Sequence, residues 1–194
     1  MGLALPVVLG VLVGPAGRGD LRQVVALRLG RVELFYLAVA LQLVAFPFSF
    51  LPWTTSDAVA TTIWLASYAL LFCGAIVNRR ITGVPVIAAG MASNVIAVVM
   101  NGGHMPALPR ALRAAHKHYT VHLNSAVGAH PHLGWLVDRW AVPRWIPLGN
   151  VYSVGDVVTA AGVVLLVVAA MKPRLLPFQA FRTRMPMDTA LGRR

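Results

Sequence analysis

The sequence predicts an all-α integral membrane protein: five transmembrane helices, interfacial amphipathic helices, and an extracytoplasmic cap between helices four and five. Three observations predict it. Of the 194 residues, 58% are hydrophobic and 12% charged, with mean hydropathy +0.71, whereas soluble domains carry about 45–50% apolar and about 25% charged residues. The apolar residues gather into five runs, four of them near the ~20 residues that cross a hydrocarbon core. The basic residues fall in the gaps between the runs. This composition excludes a disordered chain, a collagen and a coiled coil, and leaves too little charge to coat a water-soluble enzyme.

The first run, 3–13, is short. No basic residue precedes it and Arg18 follows, the reverse of a secretory signal, so it reads as a retained first helix. The second run is 35–51. The third, 58–77, ends at Asn78-Arg79-Arg80. The fourth is 84–100. The fifth, 157–171, is closed by Lys172. Thr54-Thr55-Ser56-Asp57 and Ser153-Val154-Gly155-Asp156 fit the [ST]-x-x-[DE] pattern that caps a helix start. Segments 20–29 and 108–119 read as amphipathic surface helices. The first would group Leu21, Val24, Val25 and Leu29 on one face, with Asp20 as cap. The second would group Leu108, Leu112 and Ala115 opposite Arg110, Arg113 and Lys117.

Charge sets the orientation. The chain holds 17 basic and 6 acidic residues. With the N-terminus outside, the inner segments carry twelve basic residues and the outer ones five, as the positive-inside rule requires. Trp53, Trp135, Trp140 and Trp145 then lie in outer segments, where indole favours the headgroup level. No zinc-finger, RNA-recognition or basic-zipper pattern accompanies the charge, so no nucleic acid partner is expected. Residues 1–172 form one transmembrane domain, with the outer cap at 101–156, and 173–194 form a basic cytoplasmic tail. Cys73 is the sole cysteine and reads as a small buried hydrophobe.

Candidate site residues concentrate in the cap. Asn101-Gly102-Gly103-His104-Met105-Pro106 ends the fourth run; a left-handed glycine and a following proline stop a helix this way, and the glycines also leave backbone groups open to a ligand. Ser153, Gly155 and Asp156 open the fifth run. Arg110, Arg113 and Lys117 suit an anionic headgroup or an acidic partner. All six histidines fall here: His104, His116, His118, His122, His130 and His132. His118 and His122 are four apart on a helix, and His130 and His132 two apart, so they admit a metal or haem site. Against it, Asp138 is the only carboxylate in the stretch before Asp156, and the neighbouring basic residues repel a divalent cation. Within the spans the polar residues are Gln42, Ser67, Asn94 and a few threonines. No ionisable group sits at mid-membrane, where a proton relay or pump needs one, and no nucleophile elbow, phosphate loop or HExxH motif is present.

These residues resemble a bacterial membrane-protein family known only as a domain of unknown function (number 5317). The likeness rests on the Gly-rich basic turn after the first run, Asn78, Asn94, Asn101-Gly102-Gly103-His104-Met105-Pro106, Lys117-His118, Leu133, Leu136, Asp138 and Ser153-Val154-Gly155-Asp156. The chain departs from that pattern at Val137 and Pro131. The resemblance implies a multi-span protein of the bacterial cytoplasmic membrane and carries no activity with it. The expected role is a non-enzymatic subunit or scaffold that associates with membrane lipid and with a membrane-protein partner or further copies of itself. The alternatives are an accessory subunit binding metal, haem or quinone through the His-rich cap, and a lipid-headgroup enzyme using Asp156 with a cap histidine. No cofactor is specified by the sequence.

Overall fold

The computed structural model describes residues 4–16, 19–20, 22–45, 56–115, 125–127, 130–142, 145 and 150–172. Each of the five apolar runs contains a helix: α1 (Ala4–Ala16), α3 (Val32–Ala45), α4 (Asp57–Val77), α5 (Val84–Met100) and α7 (Val154–Ala170). Short elements fill the gaps: α2 (Arg22–Ala26), β1 (Met105–Ala107), α6 (Pro109–Ala114), β2 (Ser125–Val127), β3 (Trp140–Ala141) and β4 (Val151–Tyr152). The part of the second run beyond Ala45 lies outside the described residues.

Helix α4, at 21 residues, is long and apolar enough to cross a membrane; at 1.5 Å per residue it spans about 31 Å, the thickness of a hydrocarbon core. Only 28% of its most apolar stretch is buried, unlike the core helix of a soluble domain. Helices α3, α5 and α7 are shorter apolar helices of 14, 17 and 17 residues. Their outward faces are apolar too: Tyr36 on α3 is 71% exposed, Val99 on α5 54% and Val157 on α7 53%.

The five long helices alternate in direction. Phe35 meets Gly74 and the Gln42 amide donates to Ser67 Oγ at 3.1 Å, so α3 runs antiparallel to α4. Gly10 lies against Val167 and Gly14 against Met171, so α1 runs parallel to α7. Antiparallel α5 and α7 pack through glycines seven residues apart on each. Gly83 faces Gly162 and Gly90 faces Gly155; a Cβ on Gly162 would sit 2.6 Å from the Ile87 backbone nitrogen, and one on Gly90 2.6 Å from the Gly155 oxygen. Small residues are what let two such backbones approach, as in membrane helix pairs.

One end of the bundle therefore gathers the starts of α1, α4 and α7 with the ends of α3 and α5. The cap elements close this end. Met105 and Leu136 pack on Trp64, Ala97 and Val98, and Ala107, Ala111, Leu112, Ala115 and Val151 form a small core above them. The opposite end carries Arg22, Arg28, Arg31, Arg79, Arg80 and Lys172; among the described residues the cap carries Arg110, Arg113 and Arg139.

Both described ends are pinned by an asparagine at a helix C-cap. Asn78, buried at the end of α4, accepts from the Gly30 N–H at 2.8 Å and donates to the Gly30 carbonyl at 2.9 Å and the Gly74 carbonyl at 2.8 Å. Asn101, at the end of α5, accepts from the His132 N–H at 2.8 Å and donates to the His132 carbonyl at 3.0 Å and the Ala97 carbonyl at 2.7 Å. In each case the next residue, Arg31 (φ 55°) or Leu133 (φ 51°), is left-handed. That conformation costs a non-glycine residue about 1–2 kcal/mol, and the paired amide bonds hold it.

Several expectations are corrected. The cap is not purely helical: β1 pairs in parallel with β2, and β3 antiparallel with β4. Strands of two or three residues are too short to leave a period in the sequence. Segment 20–29 forms a helix only over Arg22–Ala26, and Val25 is 90% exposed. Val24, Leu27 and Leu29 turn inward onto Ala75, Ile81 and Ala170 instead; Leu21 lies outside the described residues. Asp20 does accept from the Arg22 N–H, at 2.9 Å. In 108–119 the helix covers Pro109–Ala114, with the anticipated apolar face buried and Arg110 and Arg113 exposed. Helix α4 is capped by Ser56, whose side chain makes no capping bond; Thr54 lies outside the described residues. Cys73 is exposed on α4 rather than buried. Trp53 and the tail 173–194 also fall outside the described residues.

Candidate functional site

The cap end of the bundle holds an open cavity of about 250 Å³, lined by Trp64, Tyr68, Asn94, Val98, Met105, Asp138, Asn150, Val151, Tyr152 and Asp156. Four segments build it. Helix α4 supplies Trp64 and Tyr68, one turn apart, with ring centroids 4.2 Å apart and planes tilted by 39°. Helix α5 supplies Asn94 and Val98, also one turn apart. The 105–138 stretch folds back so that the Asp138 N–H donates to the Pro106 carbonyl at 3.0 Å and the Leu108 N–H to the Asp138 carbonyl at 2.9 Å. The fourth wall is β4 with the first turn of α7.

The first turn of α7 is the anchor. Ser153 Oγ accepts from the Asp156 N–H at 3.0 Å, and Asp156 Oδ2 accepts from the Ser153 N–H at 2.9 Å, the reciprocal capping box that the sequence predicts. Asn94 joins it from α5: its amide donates to Asp156 Oδ1 at 2.9 Å, and its carbonyl accepts from Ser153 Oγ at 2.8 Å. Gly155 makes this possible, because a Cβ there would lie on the Asn94 amide. Asp156 is thus held by neutral groups, and among the described residues no basic side chain pairs with it. Burial raises the Tyr152 phenol above its ordinary range, and the Asp156 carboxylate adds to the shift.

The turn after α5 plays a supporting part. Gly102 (φ 70°) and Gly103 (φ 91°) are left-handed, and the Gly103 N–H returns to the Val98 carbonyl at 2.9 Å, the Schellman closure of a helix. Thr61 donates to the Gly103 carbonyl at 3.2 Å, tying the turn to α4. His104 Nε2 lies 3.9 Å from Asp57 Oδ2. Of the anticipated site residues, Met105 and Asp156 line the cavity and Ser153 and Gly155 support it. Asn101, Gly102, Gly103, His104 and Pro106 are not among its lining residues.

The histidines do not assemble among the described residues. His104, His130 and His132 belong to no group of three potential metal ligands, and His132 meets Asn101 through its backbone. His116, His118 and His122 lie outside the described residues, as does Lys117. Sequence reasoning missed Trp64, Tyr68, Asn150 and Tyr152 as wall residues. Their signal was faint: two aromatics inside α4 and an amide and an aromatic at β4, convergent only in three dimensions.

An alternating set of apolar helices, closed at one end by a small mixed cap over a polar cavity, makes a mostly helical fold in which one helix, α4, is long and apolar enough to cross a membrane. The chain belongs to the Family of unknown function (DUF5317), whose model matches residues 26–168, a span containing the whole cavity wall. It is 28% identical over 176 residues to an uncharacterized protein of Thermotoga maritima, covering 88% of this chain and 90% of that one. No solved structure matches.

Proposed function

We propose that this chain is a five-span protein of the bacterial cytoplasmic membrane, with its N-terminus and cap outside and its C-terminus inside. It acts there as a non-enzymatic subunit that receives a small ligand or headgroup in the cap-end cavity. The observation that carries this reading is the cavity itself, the place where three helix ends and the cap converge. The alternating helix directions and the exposed apolar faces support the topology, since such faces need lipid or protein cover. The uneven spread of arginines favours the cytosol for the end opposite the cap.

Binding is favoured over catalysis by the setting of Asp156. Both of its oxygens are committed to hydrogen bonds, and no described histidine lines the cavity to share a proton with it. Exposed Arg110 and Arg113 on α6 suit an anionic lipid headgroup beside the cap, and the bare helix faces suit a membrane-protein partner or a second copy.

Single cysteines test the topology. In a Cys73→Ala background, Trp135→Cys is expected to react with an impermeant maleimide on intact spheroplasts, and Arg80→Cys only after permeabilisation. The reverse pattern, or a chain that stays in solution without detergent, overturns the proposal.

A further inference from the structure

We infer that the cap-end cavity takes a small organic ammonium group, either the amine of an ethanolamine-type lipid headgroup or a free amine of similar size. This rests on the reading of the cavity as a ligand site and names the chemistry of its ligand. The chain as a whole is strongly basic, with 17 basic and 6 acidic residues, yet among the described residues that line this cavity two, Asp138 and Asp156, are acids and none is basic. An anion would meet carboxylate oxygens there. The hydrogen-bond partners of the Asp156 carboxylate, the Asn94 amide and the Ser153 N–H, are both neutral. Each carboxylate oxygen has lone-pair capacity beyond the one bond it accepts.

The rest of the wall selects among cations. A divalent metal asks for several oxygen ligands around one point, and the described residues offer no such cluster. Aromatic rings answer a different cation. Trp64 and Tyr68 form a contiguous tilted pair and Tyr152 adds a third ring to the lining. Ring faces beside a carboxylate are the surroundings that attract alkylammonium groups, through the ring quadrupole on one side and charge on the other. Size agrees: about 250 Å³ falls below the roughly 300–1,000 Å³ of pockets for drug-sized ligands, which leaves room for a headgroup. Depth agrees as well, because Trp64 lies seven residues into α4, about 10 Å from its start, within reach of both the headgroup layer and the outer solution.

The test is a titration of the detergent-purified full chain with choline and with ethanolamine, read by tryptophan fluorescence and by calorimetry. The neutral isostere 3,3-dimethylbutanol and sodium phosphate serve as controls. Saturable binding of either amine, with at least tenfold weaker binding of both controls, is expected. Asp156→Asn should weaken amine binding at least tenfold. Because Asp156 also caps α7, Trp64→Leu is the second variant; it leaves the Ser153–Asp156 capping box untouched and should weaken binding severalfold. Nanodiscs of phosphatidylethanolamine and of phosphatidylglycerol separate the sources. Thermal stabilisation by the former alone, without binding of free amine, assigns the lipid headgroup; binding of free choline or ethanolamine assigns the soluble amine. Equal binding of dimethylbutanol, undiminished binding by folded Asp156→Asn, or no response to amine or lipid in a folded protein overturns the inference. None of these results alters the cysteine-labelling pattern, so the topology stands or falls separately.

Discussion

Replacing Asn94 by alanine removes a side chain that hydrogen-bonds α5 to the capped start of α7 beside the cavity. Two hydrogen bonds go with it. The bond to Asp156 Oδ1, at 2.9 Å, has a charged acceptor and is worth about 1.5–3 kcal/mol; the bond from Ser153 Oγ, at 2.8 Å, is between neutral groups and is worth about 0.5–1.5 kcal/mol. Ser153 is fully buried, so water does not readily replace its lost acceptor. The expected destabilisation is about 2–4.5 kcal/mol, and at about 2–4 °C per kcal/mol for a chain of this length the midpoint falls by roughly 4–18 °C. The capping box within α7 survives, because its two bonds do not involve Asn94, so far-UV helix content before melting should not change. The assay is thermal unfolding in dodecyl maltoside, followed by tryptophan fluorescence. Asn94→Asp sharpens it: the acceptor for Ser153 remains, but a carboxylate now faces Asp156, and the midpoint should fall at least as far as in the alanine variant. A midpoint within about 2 °C of the parent for both variants would refute the network.

At the opposite end, Asn78→Leu deletes three bonds to backbone groups and should cost about 2–4 kcal/mol in the same melt, without altering any ligand response at the cap. Gly162→Val should prevent α5 and α7 from packing, since its first carbon would press on the Ile87 backbone nitrogen at 2.6 Å; loss of folded protein on size-exclusion chromatography is expected. Gly102→Ala, whose added carbon meets open space, should cost only the roughly 1–2 kcal/mol of a left-handed alanine. The raised Tyr152 phenol means that the folded state keeps this proton after the unfolded chain has lost it. Its contribution is therefore intact below the ordinary tyrosine pKa of about 10 and declines as pH rises through and beyond that value. Tyr152→Phe should flatten this alkaline limb of the stability curve, and an unchanged limb would remove Tyr152 as its source.

What the sequence conveyed was whatever depends on neighbours along the chain. The helices come from apolar runs. The start of α7 comes from Ser153 and Asp156 three residues apart, and the end of α5 from Gly102 and Gly103. The arginines suggest which end faces inward. The seven-residue glycine spacing, Gly83 to Gly90 and Gly155 to Gly162, acquires meaning only from the antiparallel register that sets one pair against the other. Cys73 shows the limit of local reading: a residue in a helix that is apolar on every face carries no local signal of which side it turns to the bundle. The cavity was decided by tertiary structure alone. Trp64, Tyr68, Asn94, Asp138 and Asp156 are spread over more than ninety residues of chain, and they meet because Gly155 lets α5 approach α7 and because Asn101 anchors the returning segment at His132. Hydrophobicity acts locally and leaves its mark in composition, whereas convergence of polar groups depends on backbone distances that no short stretch of sequence encodes.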